Sequence, residues 1–413
     1  MEAVGVVDVL LIGGALLAYA LVSRRLAGSP FTPAIVFVVV GILIGSGGLD
    51  ILRVQVGSSE LRLLAETSLA LVLFTDASRL DSRLVIRDRR LPVRLLTVAL
   101  PLTILVGGAL AVWLVPGLTV FEAIALAVLL APTDAALGQT VVADERLPGM
   151  VREGLSVESG LNDGICVPLL IGALSFAELE EEPAFAGEIL REFVVEVVVA
   201  VAVGAVVGLA IAGLARLSSR HGWLDGGWWR VVPLVAAALA YLGTDTLGGS
   251  GFIGAFVAGL AYGRVAGEED AFRSTELNEE VGSYLSAVTF LLFGAVLVPT
   301  ALEMLDLRTV LYAVLSLTVI RMAPVALSLA GTGARLPTRG FLGWFGPRGL
   351  ATVVFALTVV EQFNVPGGPR IVAVATFTVL LSVLAHGLTA SALTSRYVGW
   401  LGGHDAPLAQ DHS

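Results

Sequence analysis

Long apolar runs, most of them close to 20 residues, follow one another along almost the whole chain and alternate with short loops rich in arginine, glycine and proline. Because lipid offers the backbone no hydrogen-bond partner, and because these runs lack the short alternating pattern of a membrane strand, each predicts a transmembrane helix. The predicted segments are 4–22, 32–47, 60–78, 93–115, 119–143, 151–176, 190–215, 229–247, 250–265, 281–299, 308–330, 340–361 and 369–395.

Composition agrees with this pattern. The 413 residues are 56% hydrophobic and 15% charged, which is too apolar for a soluble protein of this length. We therefore expect an all-α polytopic membrane protein of about 13 transmembrane helices, with one membrane domain over residues 1–398 and a short cytoplasmic tail at 399–413. The single Cys166 cannot build a disulfide framework and is expected to pack as a small hydrophobe.

The positive charge indicates how the chain is oriented. All 25 basic residues are arginines, and most lie in every second loop. Since loops rich in arginine stay in the cytoplasm, this asymmetry predicts an N-terminus outside and a C-terminus inside the cell. The loops on the opposite side hold only Arg53, Arg62, Arg191, Arg308 and Arg370. The acidic loop 178–192 would then face outward and is expected to be solvated.

Two predicted segments are interrupted. Pro132 breaks the fifth, and Gly346, Pro347 and Gly349 break the twelfth. If the chain is divided around segment seven, each half has six segments and the two broken ones correspond. Interrupted segments in matching places are typical of transporters with inverted repeats and a site at the midplane, so the sequence predicts two broken helices that cross there.

Polar residues concentrate near the first break. Asp134 interrupts one apolar run, while Glu158, Ser159, Asn162 and Asp163 precede another. A carboxylate at membrane depth costs about 2.5 to 3.5 kcal/mol, so several close together indicate a functional site. On a helix Glu158 and Asn162 are four residues apart, as are Ser159 and Asp163, which places all four on one stripe. Such a stripe could hold a hard monovalent cation.

The carboxylates suggest how the site would work. A cation and a proton compete for the oxygens of a buried carboxylate, and this competition is sufficient for proton-coupled exchange. We predict that Asp163, with Ser159 one turn before it, is the direct ligand and proton carrier. Asp134 is the second group, beside Thr133 and the carbonyl groups that the break leaves free. The alternative for an aspartate at a break is that it caps a helix.

Two arginines lie inside apolar segments, Arg321 and Arg348. A guanidinium group keeps its proton, so each must find a carboxylate or carbonyl groups. We expect Glu158 to pair with one of them, with Arg321 the first choice. Arg348 is the other candidate, or it holds the carbonyl groups of its own break.

Two further polar residues allow more than one interpretation. Asp76, at the end of the third segment, either lies at the interface beside Arg79 or reaches the cation site. His386 is the only histidine within an apolar segment and is expected to be a packing residue.

At these residues the chain resembles the monovalent cation:proton antiporters of the NhaP and NHE type, over about residues 5–398. The motifs that carry the resemblance are ESGLND, which ends in Asn162-Asp163, APTDA with Thr133-Asp134, FTDASRL with Asp76, and GPRGLA in the twelfth segment. The paired motifs ESGLND and APTDA, one segment apart, are the most specific.

The resemblance implies that Asp163 and Asp134 are essential, and that Ser159, Thr133 and Asp76 match cation-site positions. Asn162 stands where electrogenic relatives have an aspartate. It further implies a homodimer in which ion-binding helices, about 93–176 and 308–398, move against dimerisation helices, about 1–78 and 190–299.

We therefore expect a transporter of the plasma or inner membrane that exchanges a monovalent cation, Na⁺ before Li⁺ or K⁺, for H⁺, one for one. It should be no enzyme, need no cofactor and bind no nucleic acid. A sodium-coupled solute symporter is the main alternative, although the breaks offer few further polar groups for an organic substrate. An intramembrane aspartyl protease would need a GxGD-like motif, whereas Asp163 lies in GLND.

Overall fold

The computed structural model describes residues 5–26, 29–52, 59–79, 90–134, 137–181, 186–267 and 273–402. Within these ranges every regular element is helical. The first half of the chain contains α1 (Val6–Leu26), α2 (Pro33–Ile44), α3 (Ser59–Ser78), α4 (Arg90–Arg94), a π-helical turn (Leu95–Ala99), α5 (Leu100–Leu114), α6 (Val120–Leu129), α7 (Gln139–Val142), α8 (Gly149–Glu181) and α9 (Ala186–Arg220).

The second half continues in the same way. It contains α10 (Gly226–Trp229), α11 (Val231–Thr246), α12 (Gly251–Ala266), α13 (Glu276–Leu292), a second π-helical turn (Phe293–Leu297), α14 (Val298–Glu303), α15 (Leu307–Leu317), α16 (Val319–Ser328), α17 (Leu336–Trp344), α18 (Leu350–Gln362) and α19 (Gly368–Gly402).

The all-α membrane architecture is confirmed. In the part of the chain that the structure describes, seven helical stretches are long and apolar enough to cross a membrane, and four shorter apolar helices accompany them. Each predicted segment falls on helix, and α8, α9 and α19 extend past their predicted ends into more polar sequence. The total of 13 crossings and the inverted repeat remain predictions.

Both predicted breaks are present. The first lies between α6 and α7, where residues 131–134 have no helical structure, and the second lies at residues 345–349, between α17 and α18. Pro132 and Pro347 explain them, because proline has no N–H and disfavours a helical conformation at the residue before it. The eleventh segment is also divided, at Thr318, which places Arg321 in the first turn of α16.

The chain divides into two compact units. Unit 1 contains residues 1–62, 88–162 and 287–413, and unit 2 contains residues 63–87 and 163–286. The boundary within α8 falls between Asn162 and Asp163. The predicted division into ion-binding helices and dimerisation helices concerns function and stays a prediction.

In unit 1, an apolar cluster surrounds one end of α17 and α19. Phe341 stacks on Tyr397 with ring centroids 4.3 Å apart, and the tyrosine hydroxyl donates to the Thr338 hydroxyl at 2.9 Å. Leu342 and Val325 are fully buried in the same cluster. These contacts fix the half-helix α17 before the chain enters the second break.

In unit 2, α9 packs closely on α12. A side chain at Gly204 would overlap the backbone of Gly254, and one at Gly208 would overlap the backbone of Ala258. Small residues at this spacing let two helix backbones approach in lipid, where close packing replaces the hydrophobic effect. On the far side of α12, Phe74 packs against Tyr262 with ring centroids 5.6 Å apart.

Some sequence predictions fall outside the described residues. These are the arginine-rich stretch 80–89, the centre of the acidic loop at 182–185, and residues 403–413 of the predicted tail. Cys166 is buried, as expected of a small apolar side chain.

Candidate functional site

The polar stripe of α8 holds the backbone of the first break. The Asn162 side chain donates to the Thr133 hydroxyl at 2.8 Å and accepts from the Thr133 N–H at 3.3 Å. The Ser159 hydroxyl donates to the Thr133 carbonyl at 2.5 Å and lies 3.0 Å from the Thr133 hydroxyl. Thr133 is therefore fixed at its N–H, carbonyl and hydroxyl by two side chains of one helix.

Asp134 joins the two breaks. Its N–H donates to the Pro347 carbonyl at 2.8 Å, and its carboxylate accepts from the N–H of Leu350 at 2.8 Å, the first residue of α18. A carboxylate at a helix N-terminus satisfies a free N–H group and complements the positive end of the helix dipole. A side chain at Gly349 would overlap this carboxylate, so the close approach requires glycine. In this structure Asp134 thus caps α18, which was the alternative interpretation from the sequence.

Arg348 makes the complementary contact in the opposite direction. Its Nη1 donates to the carbonyl groups of Ala131 at 2.9 Å and Pro132 at 3.0 Å, just beyond the C-terminal end of α6. A cation there complements the negative end of the α6 dipole. Arg348 was predicted to pair with Glu158 or to hold the carbonyl groups of its own break, whereas in the structure it contacts those of the other break. Each break therefore receives an ionisable side chain from its partner.

Glu158 contacts Arg321 rather than a cation ligand. Two parallel hydrogen bonds join the guanidinium and the carboxylate, Nη1 to Oε1 at 2.5 Å and Nη2 to Oε2 at 2.8 Å. Both side chains are only 2% exposed. The two-point geometry gives such a pair its strength and its fixed orientation. A side chain at Gly346 would overlap the Arg321 guanidinium, so the second break lies directly against this pair.

Asp163 and Asp76 belong to unit 2. Asp163 is 6% exposed and lies one helical turn after Ser159 on the uninterrupted helix α8. Asp76 is half-buried in the last turn of α3, three residues before Arg79. The structure thus confines Asp163 to the interior, while the roles of both aspartates remain predictions.

A second, partly exposed pair fixes the start of two unit 1 helices. Asp306 caps α15 by accepting from the Thr309 N–H at 2.7 Å, and its other oxygen accepts from Arg370, in the first turn of α19, at 2.5 Å. The hydrogen bond from the Thr309 N–H, with a smaller contribution from Arg370, lowers the pKa of Asp306 below its usual range.

The model of a family described as "Sodium/hydrogen exchanger, transmembrane" matches residues 12–396. The chain belongs to this family. The predicted family resemblance is thereby confirmed over nearly the whole chain.

Two bacterial relatives are named as potassium/proton antiporters. NhaP of Alkalimonas amylolytica is 26% identical over 345 residues, 82% of this chain and 57% of that protein. NhaP2 of Shewanella sp. (strain MR-4) is 27% identical over 402 residues, 94% of this chain and 66% of that protein. The chain therefore spans less than two thirds of the length of these relatives.

A solved structure shares the fold. The sodium proton antiporter MjNhaP1 from Methanocaldococcus jannaschii, solved at pH 8, superposes with a TM-score of 0.74 at 20% identity. The match covers 92% of this chain and 98% of that one. It establishes that this exchanger-family chain has the fold of that protein.

Sequence reasoning missed the buried carboxylate of Glu122. Glu122 is 1% exposed, and its two oxygens accept from the N–H groups of Gly367 at 2.6 Å and Thr119 at 2.8 Å. Thr119 and Glu122 form a capping box at the start of α6. The Thr-x-x-Glu spacing before an apolar run is the signal that could have revealed it. The bond to Gly367, 245 residues away along the chain, has no such signal.

In chemical terms, the cluster around Thr133 is rich in oxygen atoms suited to a hard cation. Thr133 contributes a carbonyl and a hydroxyl group, and Ser159 contributes a hydroxyl group, all buried. Carbonyl, hydroxyl and carboxylate oxygens are the ligands that hard cations prefer, and unwound backbone at a helix break supplies them at membrane depth. Glu158, Arg321 and Arg348 hold the breaks in position around this cluster.

Proposed function

We propose that the protein is a secondary active antiporter that exchanges a monovalent cation for H⁺ across the membrane by competition of the two ions for Asp163. Na⁺ is the proposed cation, with Li⁺ and K⁺ as the alternatives that the experiment below separates. As such an antiporter, the protein requires only its transported ions and a lipid bilayer, and no cofactor.

The observation that carries the proposal is the buried carboxylate of Asp163. It lies on a continuous helix, and the side chains one turn before it bind the backbone of the first break. Ser159 and Asn162 bind Thr133, so the helix that bears Asp163 is joined to backbone oxygens at membrane depth. A carboxylate in such surroundings accepts either a proton or a desolvated cation. Release of one on binding of the other couples their opposite movements.

Membership of the sodium/hydrogen exchanger family supports the same function. Relatives named as potassium/proton antiporters occur in Alkalimonas and Shewanella, and one named as a sodium/proton antiporter occurs in Zygosaccharomyces rouxii. Because these names differ in the cation, they support cation/proton exchange in general and leave selectivity to measurement.

Proton flux in proteoliposomes tests the proposal. Purified protein is reconstituted with a pH-sensitive dye inside, and Na⁺, Li⁺ or K⁺ is added in turn. We expect cation-dependent flux in the wild type and none in Asp163→Asn or Asp134→Asn, because an amide keeps the shape but carries neither charge nor proton. Cation-driven flux in Asp163→Asn would show that this residue is not the carrier.

We further propose a stoichiometry of one proton for one cation. The chain has no lysine that could titrate near the site, and position 162 holds a neutral asparagine. Arginines keep their protons, so Arg321 and Arg348 cannot carry additional ones. With Asp163 as the carrier, the occupied site has the same net charge on both legs of the cycle.

The stoichiometry is tested with an imposed membrane voltage. A potassium diffusion potential is set with valinomycin, provided that K⁺ is not a substrate, and a fixed Na⁺ gradient is applied. The final pH gradient should be the same at every voltage. A final gradient that follows the voltage would refute one-for-one exchange, since each net charge gains about 2.3 kcal/mol per 100 mV.

For the assembly we propose a homodimer in the plasma or inner membrane, with the N-terminus outside and the C-terminus in the cytoplasm. In a Cys166→Ser background, single cysteines at Ser219 and Glu303 would lie on opposite sides. An impermeant maleimide added to whole cells should label Glu303→Cys and not Ser219→Cys, and the reverse pattern would invert the topology. Mass photometry of the protein in nanodiscs measures the oligomeric state.

A further inference from the structure

His386, which the sequence suggested was a packing residue, lies beside the second break. It is 2% exposed on α19, and its Nε2 lies 2.8 Å from the carbonyl oxygen of Trp344, the last residue of α17. Its Nδ1 lies 2.9 Å from the Ser382 carbonyl and 3.2 Å from the Ser382 hydroxyl. The ring therefore connects the end of α17 to α19.

The chemistry of these partners determines one proton position. A carbonyl oxygen can only accept a hydrogen bond, so Nε2 must carry a hydrogen and donate it to Trp344. At Nδ1 the Ser382 hydroxyl can donate to a neutral ring, or the Ser382 carbonyl can accept from a charged one. In both forms Nε2 is the donor that holds the last carbonyl of α17.

From the second break, hydrogen bonds through Ser382 and Arg348 extend to the first break. The Ser382 hydroxyl accepts from the N–H of Arg348 at 2.6 Å, and the Arg348 side chain holds the carbonyl groups of Ala131 and Pro132. His386 and Ser382 thus bind the backbone on both sides of residues 345–347, at the Trp344 carbonyl and the Arg348 N–H. Through Arg348, their position sets that of the backbone that leads directly into Thr133.

We propose that His386 is a positioning residue for the exchange: with Ser382 it fixes the second break from α19, and thereby sets the affinity of the site for its cation. The inference rests on the proposed function. It predicts that loss of the Nε2 donor weakens cation binding, whereas a purely packing role would change only the amount of folded protein.

The test compares three variants by the cation dependence of proton flux. His386→Leu keeps an apolar side chain but removes the donor, and we expect its apparent KM for the cation to rise about tenfold with a smaller change in maximal rate. His386→Gln can place its amide N–H near the position of Nε2 and should recover most of the affinity. His221→Gln is the matched control, since the His221 Nδ1 also contacts the carbonyl four residues before it, at 2.8 Å, but on an exposed surface.

The outcomes are distinct. An unchanged KM in His386→Leu, with only the maximal rate reduced, would overturn the inference, as would a KM in His386→Gln as high as in His386→Leu. If the wild type shows no cation-driven flux, the proposed function fails. The Nε2 donor on which the inference depends is tested independently of flux by ¹⁵N NMR of histidine-labelled protein in nanodiscs, where the signal missing from His386→Gln should show a protonated Nε2. A signal from a bare Nε2 would refute it.

Discussion

Removal of Glu158 should destabilise the protein far more than its size suggests. Glu158→Ala leaves the buried Arg321 side chain, only 2% exposed, without the carboxylate that binds two of its nitrogens. Since arginine cannot lose its proton, the loss of one partner from a buried pair costs about 3 to 5 kcal/mol. The pair itself need not contribute this much to stability, because most of the cost comes from the charge that remains.

The cost can be expressed as a melting temperature. Unfolding entropies of about 2.1 cal/mol/K per residue give about 0.9 kcal/mol/K for 413 residues, so a loss of 4 kcal/mol lowers Tm by about 5 °C. The assay is thermal unfolding of detergent-purified protein, read from near-UV circular dichroism. A Tm of Glu158→Ala equal to that of the wild type would refute the reasoning.

Two controls separate the buried charge from general damage. Arg230 and Glu276 form an ion pair in unit 2 at 3.3 Å that is about half exposed on both sides. An exposed pair contributes about 0 to 1 kcal/mol, so Arg230→Ala should shift Tm by about 1 °C or less. The double variant Glu158→Leu with Arg321→Met removes both charges and should recover most of the lost stability. If it melts as low as Glu158→Ala, volume and not charge explains the loss.

Three further predictions concern Gly349 and Thr133, at the two breaks, and Asp306, at the start of α15. Gly349→Ala places a methyl group against the Asp134 carboxylate, so cation-driven flux should fall at least tenfold. Thr133→Val removes the hydroxyl that the Asn162 amide binds and leaves a buried donor unsatisfied at about 1 to 3 kcal/mol, so the KM for the cation should rise about tenfold or more. Asp306→Ala removes an N-cap and should cost about 1 kcal/mol at pH 7. Because the pKa of Asp306 is lowered on folding, this cost should shrink as the pH falls below the usual aspartate range, which melting curves at pH 7 and pH 3 would show.

Each of these changes has a matched comparison. Gly340→Ala adds the same methyl group in α17, where nothing lies within 4 Å, and should leave flux intact. Thr133→Ser keeps the hydroxyl and should retain the wild-type KM within a few fold. If Thr133→Ser and Thr133→Val are equally impaired, the methyl group rather than the hydroxyl matters. Equal melting losses for Asp306→Ala at both pH values would show that the carboxylate charge does not stabilise α15.

The sequence predicted the helical membrane fold and both breaks for simple physical reasons. Long apolar runs cannot be soluble, and proline disfavours a continuous helix, which indicated breaks at Pro132 and Pro347. It could not predict that Thr318 divides the eleventh segment, because threonine is common within helices and the division depends on local geometry.

The arrangement of the site was harder to foresee than its membership. Burial and the need for a partner made Arg321 the first choice for Glu158, and the structure confirms that pair, but a spacing of 163 residues left Arg348 open as the second candidate. That Asp134 caps α18 while Arg348 reaches the end of α6 depends on how two breaks cross in space. That crossing cannot be predicted from a single sequence without knowledge of the fold. His386 was interpreted as a packing residue because it is the only histidine in an apolar segment. Its two carbonyl partners are backbone groups, which no side-chain pattern reveals.

The crossing has a consequence for how charge is distributed in unit 1. The Glu158 carboxylate is bound to a guanidinium group, the Asp134 carboxylate to the N-terminus of α18, and the Arg348 guanidinium to the C-terminal end of α6. A cation that bound directly to either carboxylate would have to displace hydrogen bonds that hold the breaks together. Under the proposed function, exchange at Asp163 avoids this cost, since the helix that bears it is already held by Ser159 and Asn162. The fixed charges would then preserve the geometry of the breaks, while the proposed carrier of the changing charge, Asp163, is a different carboxylate.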